Sequence, residues 1–161
     1  LLGTVEHTVV EAETPMQLQE MDLFHNRKDE TLTDLESRMS KRVFAAGEPI
    51  YARGEPGDAL YLIRRGTVRI FAPLGAGRSR HIASFGRGDF FGGLAFLDGR
   101  PRGNDAIAFS ETEVYVLSQE QFSKLSDEHK KLAFTLITAI ARTLAIRLRH
   151  ADTELTMLQE Y

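Results

Sequence analysis

Between Lys41 and Ser118 glycines break the chain into short runs, and several of those runs alternate with a period of two. Leu60 and Leu62 alternate with Tyr61 and Ile63, Val68 and Ile70 with Arg69 and Phe71, and Val114 and Val116 with Tyr115 and Leu117. Successive side chains of a strand point to opposite faces, so this is a strand pattern. Apolar residues on both faces need cover on both sides, which a double or closed sheet provides. Gly47, Gly54, Gly57, Gly66, Gly75, Gly77, Gly86 and Gly88 fall between the runs, where tight turns belong. Turn signals recur roughly every 8–12 residues, the spacing of a sandwich, jelly roll or barrel. The candidate strands are 42–45, 50–52, 59–64, 67–73, 79–84, 105–109 and 113–117.

On either side of this region the period becomes helical. Leu32, Leu35 and Met39 share one face of a helix over 28–40, and Met21, Leu23 and Phe24 just before it form a hydrophobic anchor. After Leu117, Ser118 followed by Gln121 three positions on is a capping-box start. It predicts a short helix over 119–126 and then a long one from about 128 to 159. The apolar seam of the long helix is Ala133, Ile137, Ile140, Leu144, Leu148, Ala151, Leu155 and Leu158. A heptad-like stripe of this length calls for a partner surface. Its first half is expected to cover the β region and its second half to pair with a second copy in a homodimer. The fold class is therefore mainly β with flanking helices: a double-stranded, jelly-roll-like β-roll with an N-terminal helix, a short helix inside the roll and a long C-terminal helix. Residues 1–22 carry Glu6, Glu11, Glu13 and Glu20 with no Lys or Arg, and Pro15 interrupts them. They read as an acidic linker or the tail of a preceding domain, residues 23–127 as the roll, and 128–161 as the lid and dimerisation helix.

Composition narrows the chemistry. The 161 residues, 42% of them hydrophobic, are enough for one cored domain, and a net charge of −3 gives no global field toward nucleic acid or membrane. The absence of cysteine removes disulfides, thiolate metal sites and thiol nucleophiles. His7, His25, His81, His129 and His150 are scattered rather than set as a metal-ligating cluster, and Ser84, Ser110 and Ser118 lack a nucleophile-elbow context. The expectation is a protein that is not an enzyme and holds no metal or resident cofactor. Arg142, Arg147, Arg149 and His150 read as a solvated basic face, and no nucleic-acid contact is expected from this chain.

One segment has the shape of a ligand site. Phe90-Phe91-Gly92-Gly93-Leu94-Ala95-Phe96-Leu97-Asp98-Gly99-Arg100-Pro101-Arg102 reads as a strand end, a glycine turn, a one-turn helix and a proline-led entry to the next strand. The first amides of such a helix lack intrahelical acceptors, the two glycines admit a ligand, and Arg102 adds a planar cation to the same anion nest.

This segment resembles the phosphate-binding cassette of cyclic-nucleotide-binding domains, in which Phe-Gly-Glu-Leu-Ala is followed by a spacer and Pro-Arg. Phe91-Gly92, Leu94-Ala95 and Pro101-Arg102 match in register. Gly47-Glu48, Ile50, Gly54, Gly57-Asp58, Tyr61, Ile63, Gly66, Val68 and Ile70 match the upstream signature. The resemblance spans about residues 24–150 and implies an eight-strand roll and a regulatory domain for a cAMP- or cGMP-like ligand or a related phosphate. Phe91, Gly92, Gly93, Leu94, Ala95, Arg102, Gly103 and Asn104 would form the phosphate cradle, and Ala133, Ile137 and Ile140 a lid over the base. The family's ribose-binding glutamate is Gly93 here, a lost hydrogen bond worth about 1–3 kcal/mol, and restoring Gly93→Glu is expected to strengthen cAMP binding. Asp105 stands where the family has Ala or Thr; it either faces away or pairs with Arg102. The acidic lead-in and residues 87–93 also resemble the cytosolic tail of bacterial SulP-type anion transporters, which implies the cytoplasmic part of an inner-membrane protein. Two alternatives remain open: a degenerate roll acting as a dimerisation module without nucleotide, and the sensor half of a transcription regulator.

Overall fold

The computed structural model describes residues 14–24 and 30–159. Two 3-10 turns, Leu18–Glu20 and Asp22–Phe24, lead into α1 (Glu30–Arg38). Strands β1 (Ser40–Phe44), β2 (Pro49–Tyr51), β3 (Ala59–Arg65), β4 (Val68–Gly75), β5 (Arg78–Phe85) and β6 (Phe90–Phe91) follow. Helix α2 (Gly93–Asp98) interrupts the roll before β7 (Asp105–Ala108) and β8 (Thr112–Ser118), and α3 (Gln119–Glu128) and α4 (Lys130–Gln159) complete the chain. The strands form two four-stranded antiparallel sheets, ordered β1-β8-β3-β6 and β2-β7-β4-β5. This is the jelly-roll-like β-roll with flanking helices that the period-two pattern implies. The segment read only as a strand end at 90–91 is a short strand, pairing Phe91 with Tyr61 and Phe90 with Leu62.

The first sheet is the middle layer of the molecule, which is why its strands are apolar on both faces. Ala59, Tyr61 and Ile63 of β3, Val114 of β8 and Phe91 of β6 point into the roll. Their neighbours Leu60, Leu62, Tyr115, Leu117 and Phe90 point the other way, into a second cluster built with Leu32 and Leu35 of α1, Leu125 of α3, and Leu132, Leu136 and Ile140 of α4. Helices thus cover one face and the second sheet the other. Ser118 caps α3 as expected, its hydroxyl accepting from the Gln121 amide at 3.1 Å.

Two sequence expectations need correction. Residues 14–22 are not part of a solvated linker. Leu18 and Met21 are fully buried in the helical-side cluster, and the segment is tied to β3 by the Met16 amide donating to the Arg64 carbonyl (2.8 Å) and Arg64 Nε donating to the Met16 carbonyl (3.1 Å). The buried pair is spaced i, i+3, which fits the turns that carry it. Residues 1–13, also assigned to the linker, lie outside the described residues. The anchor role of Met21, Leu23 and Phe24 does match their burial. The second correction concerns α4. Leu132, Ala133, Leu136 and Ile140 face inward, while Ile137 is only half-buried, so the inward stripe is rotated from the one read off the sequence.

Candidate functional site

The cassette is fixed from below by a glycine. A β-carbon on Gly57, in the β2–β3 connection, would sit 2.1 Å from the Ala95 β-carbon and 2.9 Å from the Arg100 carbonyl, so only glycine lets this connection press against α2. The backbone of Arg102 is tied to the same connection in both directions: the Gly54 amide donates to its carbonyl and its own amide donates to the Glu55 carbonyl, each at 2.8 Å. At the start of α2, Gly92 is the N-cap, with φ of 80°, and no side chain caps the helix. The first-turn amides therefore face outward without an intrahelical acceptor. Gly99 closes the helix, donating to the Ala95 carbonyl at 2.8 Å.

Arg102 is 4% exposed. One nitrogen donates to the Gly92 carbonyl at 2.8 Å and another to the Ala59 carbonyl at 2.6 Å. The guanidinium lies 4.2 Å from the Tyr51 ring centre and 5.7 Å from that of Tyr61, and Tyr61 is stacked on Phe91 at 4.9 Å. Its Nε is buried without a partner. Among the described residues no carboxylate lies within ion-pair distance of it. Asp105 faces away: its Oδ1 accepts from the Arg53 amide at 2.7 Å, so the alternative of an Asp105–Arg102 pair is set aside. Burial pushes the Tyr51 phenol up to about 12, with the Arg102 charge pulling it down and Tyr61 adding to the rise.

Phe91, Gly92, Gly93, Leu94, Ala95, Arg102, Gly103 and Asn104 all line one cavity of about 530 Å³. The structure brings these eight expected cradle residues together as neighbours. It missed the opposite walls: Tyr51 of β2, Ile70 of β4, Ile82, Ala83 and Phe85 of β5, and Leu144, Ala145, Arg147, Leu148 and Ala151 of α4. The expected lid residues Ala133, Ile137 and Ile140 do not line the cavity. They lie nearer the start of α4, and Ile140 belongs to the helical-side core. The part of α4 that lines the cavity lies one to three turns beyond Ile140. The signal for it was present in the seam at Leu144, Leu148 and Ala151, but the register of α4 on the roll is a tertiary fact.

Arg147 is not part of the solvated face expected for the basic run of α4. It is half-buried, donates to the Phe90 carbonyl at 2.8 Å, and stands 4.1 Å from the Phe85 ring centre and 4.4 Å from that of Phe90. Burial lowers its pKa below the ordinary arginine value, with Asp89 pulling the other way. Gly93 lies where α4 meets the cassette. A β-carbon there would meet Phe90 Cε2 at 3.1 Å, Ile140 Cγ2 at 3.5 Å and Leu144 Cδ1 at 3.6 Å. Only the Phe90 ring edge is tighter than ordinary packing, so a side chain at this position requires an adjustment of that ring. Elsewhere, Asp34, Glu128 and His129 draw together, but Arg38 bonds both carboxylates and makes the cluster an ion-pair network.

Comparison with known proteins agrees with this arrangement. Residues 41–129 match the family model described as "Cyclic nucleotide-binding domain". The chain is 35% identical over 136 residues to the "Cyclic AMP receptor protein" of Thermus thermophilus, covering 84% of this chain and 61% of that protein. It is 34% identical over 108 residues to a "cAMP-dependent protein kinase regulatory subunit" of Emericella nidulans, covering 67% of this chain and 26% of that protein. It therefore spans less than two thirds of the length of either curated relative. Among solved structures, the Thermus thermophilus catabolite activator protein superposes with a TM-score of 0.71 at 36% identity, covering 85% of this chain and 62% of that one. A cyclic nucleotide-binding domain from Methylobacillus flagellatus gives a TM-score of 0.76 at 25% identity, covering 86% and 78%. No helix among the described residues is long and apolar enough to cross a membrane. With the roll, the cassette and these matches in agreement, the chain belongs to the cyclic nucleotide-binding domain family.

Proposed function

We propose that the chain is a regulatory sensing domain that takes a cyclic nucleotide, or a closely related phosphate ligand, in the cavity between the cassette and α4. The observation that carries this reading is Arg102. A permanently charged, buried guanidinium without a carboxylate partner is costly to maintain, and it lines a cavity large enough for a nucleotide beside uncapped helix amides. An anion entering there would supply the missing counter-charge. Signal output follows from the cavity's construction: one wall is cassette and another is α4, so a ligand that prefers one position of α4 shifts its population by that difference in affinity.

The names of the relatives, a cyclic AMP receptor protein and a cAMP-dependent kinase regulatory subunit, support the ligand class. The homodimer remains a proposal supported by the exposed Ile146, Leu155 and Leu158 of α4. Attachment to an inner-membrane anion transporter is supported by the sequence resemblance at 87–93 and the acidic lead-in; the alternative of a transcription regulator's sensor half is supported by the 26% identity over 122 residues to a "CRP-like cAMP-activated global transcriptional regulator" of Mycobacterium tuberculosis.

Calorimetric titration of the chain with cAMP and cGMP, with Arg102→Ala beside it, tests the reading. Saturable binding that Arg102→Ala weakens by at least tenfold is the expected result. Affinity that the substitution leaves unchanged would remove Arg102 from the site, and no binding of either nucleotide would leave the roll as a dimerisation module.

A further inference from the structure

Two guanidinium groups line the cavity, Arg102 and Arg147, and no Asp or Glu does. They stand on separate aromatic platforms: Tyr51 and Tyr61 under Arg102, Phe85 and Phe90 under Arg147. They therefore address different parts of a bound molecule. If Arg102 takes the phosphate, Arg147 faces another group, and the surroundings of Arg147 indicate what that group is. Ile82, Ala83, Leu144, Ala145 and Leu148 make the cavity that it shares apolar, and Arg147 also lines a neighbouring cavity with Asp22 and Asp89, so its setting suits a planar base better than a second phosphate. The acceptor that Arg147 now holds is a neutral carbonyl oxygen, that of Phe90, and only one of its donors is used there. A guanidinium presents several N–H donors in a rigid fork and no acceptor.

From this geometry we infer that Arg147 is a specificity-determining residue that reads the O6/N7 edge of a guanine base, so that the cavity prefers guanine to adenine nucleotides. The inference rests on the nucleotide reading above. Guanine offers two acceptors on that edge and matches a bidentate arginine, whereas adenine offers N7 beside an N6 amino donor. An adenine amino group would need an acceptor in the wall, and only Asn104 and the Tyr51 hydroxyl supply one from a side chain. On binding, Arg147 would exchange the Phe90 carbonyl for the base, or engage the base with its remaining donors. Either event ties the ligand to α4 itself.

The test is displacement or calorimetric titration of the full chain with cGMP, cIMP and cAMP, for the native protein and Arg147→Lys, with far-ultraviolet circular dichroism to verify the fold of the variant. Inosine keeps O6 and N7 but lacks the 2-amino group, so it separates the edge read by Arg147 from the rest of guanine. The expected result is that cGMP and cIMP bind roughly 5- to 100-fold more tightly than cAMP. Arg147→Lys, which keeps the charge and loses the fork, should weaken cGMP and cIMP about fivefold or more beyond any effect on cAMP and so collapse that preference. Equal or tighter binding of cAMP by the native protein overturns the inference, as does cIMP behaving like cAMP or a uniform loss of all three ligands in the variant. In each of those cases nucleotide binding itself still stands. Failure of all three nucleotides to bind overturns the nucleotide reading and the guanine preference together.

Discussion

Replacing Gly92 and, separately, Gly93 by alanine separates two glycines that look equivalent in the sequence. At Gly92 the backbone has φ of 80°, and the added β-carbon would lie 2.7 Å from a terminal nitrogen of Arg102 and 3.3 Å from the Ala59 carbonyl. The left-handed conformation costs a non-glycine residue about 1–2 kcal/mol. The guanidinium must also move, giving up its 2.8 Å bond to the Gly92 carbonyl, and a bond from a charged donor is worth about 1.5–3 kcal/mol. Reduced freedom of the unfolded chain returns about 0.4–1 kcal/mol. The net expectation is a loss of about 2–4 kcal/mol, or about 5–15 °C in melting temperature at this chain length, together with weakened anion binding because Arg102 has been displaced. At Gly93 the φ is outside the left-handed region, two of the three contacts are ordinary, and the tight one, 3.1 Å to Phe90, is to a ring edge. A helix-propensity gain of up to about 1 kcal/mol offsets the small ring adjustment, so Gly93→Ala should stay within about 1 kcal/mol of the native protein. Urea and thermal unfolding followed by circular dichroism, with ligand titration alongside, check the pair. The reasoning is refuted if the two variants lose equal stability, or if Gly92→Ala keeps both native stability and native binding.

Ser118→Ala removes the side-chain cap at the start of α3, the hydroxyl that accepts from the Gln121 amide, and should cost about 0.5–2 kcal/mol in urea unfolding, with Ser118→Asp restoring most of it. The buried tyrosines predict an alkaline limit. Tyr51 and Tyr115 are both pushed up to about 12 by burial, while an unfolded tyrosine titrates near about 10. Between those values the unfolded chain has released protons that the native chain holds, so this stability is fully present below about pH 10 and is lost as the pH rises toward 12. Unfolding midpoints measured from pH 9 to 12 should fall over that window, and Tyr51→Phe should flatten part of the slope; an unchanged slope would mean that burial of this phenol does not set it.

The features legible in the sequence are those set by local pattern. The alternation in β3 and β8 could be read because the first sheet is covered on both faces, and both phases are apolar for that reason. The cassette could be read because its turn needs glycine at fixed places and its cation close behind. What the sequence hid depends on which surface meets which. Leu18 and Met21 lie among glutamates beside a proline, and their burial comes from docking on the helical-side cluster, where Met16 and Arg64 also tie the segment to β3. On α4, Ala133 and Ile140 of the seam are buried, but so are Leu132 and Leu136, which stand one position before Ala133 and Ile137, about 100° of helical rotation away. Periodicity alone does not choose between them. Arg147 looks solvated beside Arg142 and Arg149 until the register of α4 places it over Phe85 and Phe90.

Gly93 shows how a local reading can be right and still incomplete. From the sequence it is an absent acceptor, a subtraction from ligand affinity. In the fold it is also the point where α4 meets the cassette, with the Phe90 ring edge 3.1 Å and Ile140 and Leu144 3.5 and 3.6 Å from where a β-carbon would lie. Under the proposed function those two features oppose each other: the missing acceptor weakens the contact with ribose, while Leu144, Leu148 and Arg147 add α4 to the cavity wall. On that reading the ligand is held from the helix as well as from the cassette, and the helix contacts are the ones that couple binding to a movement of α4.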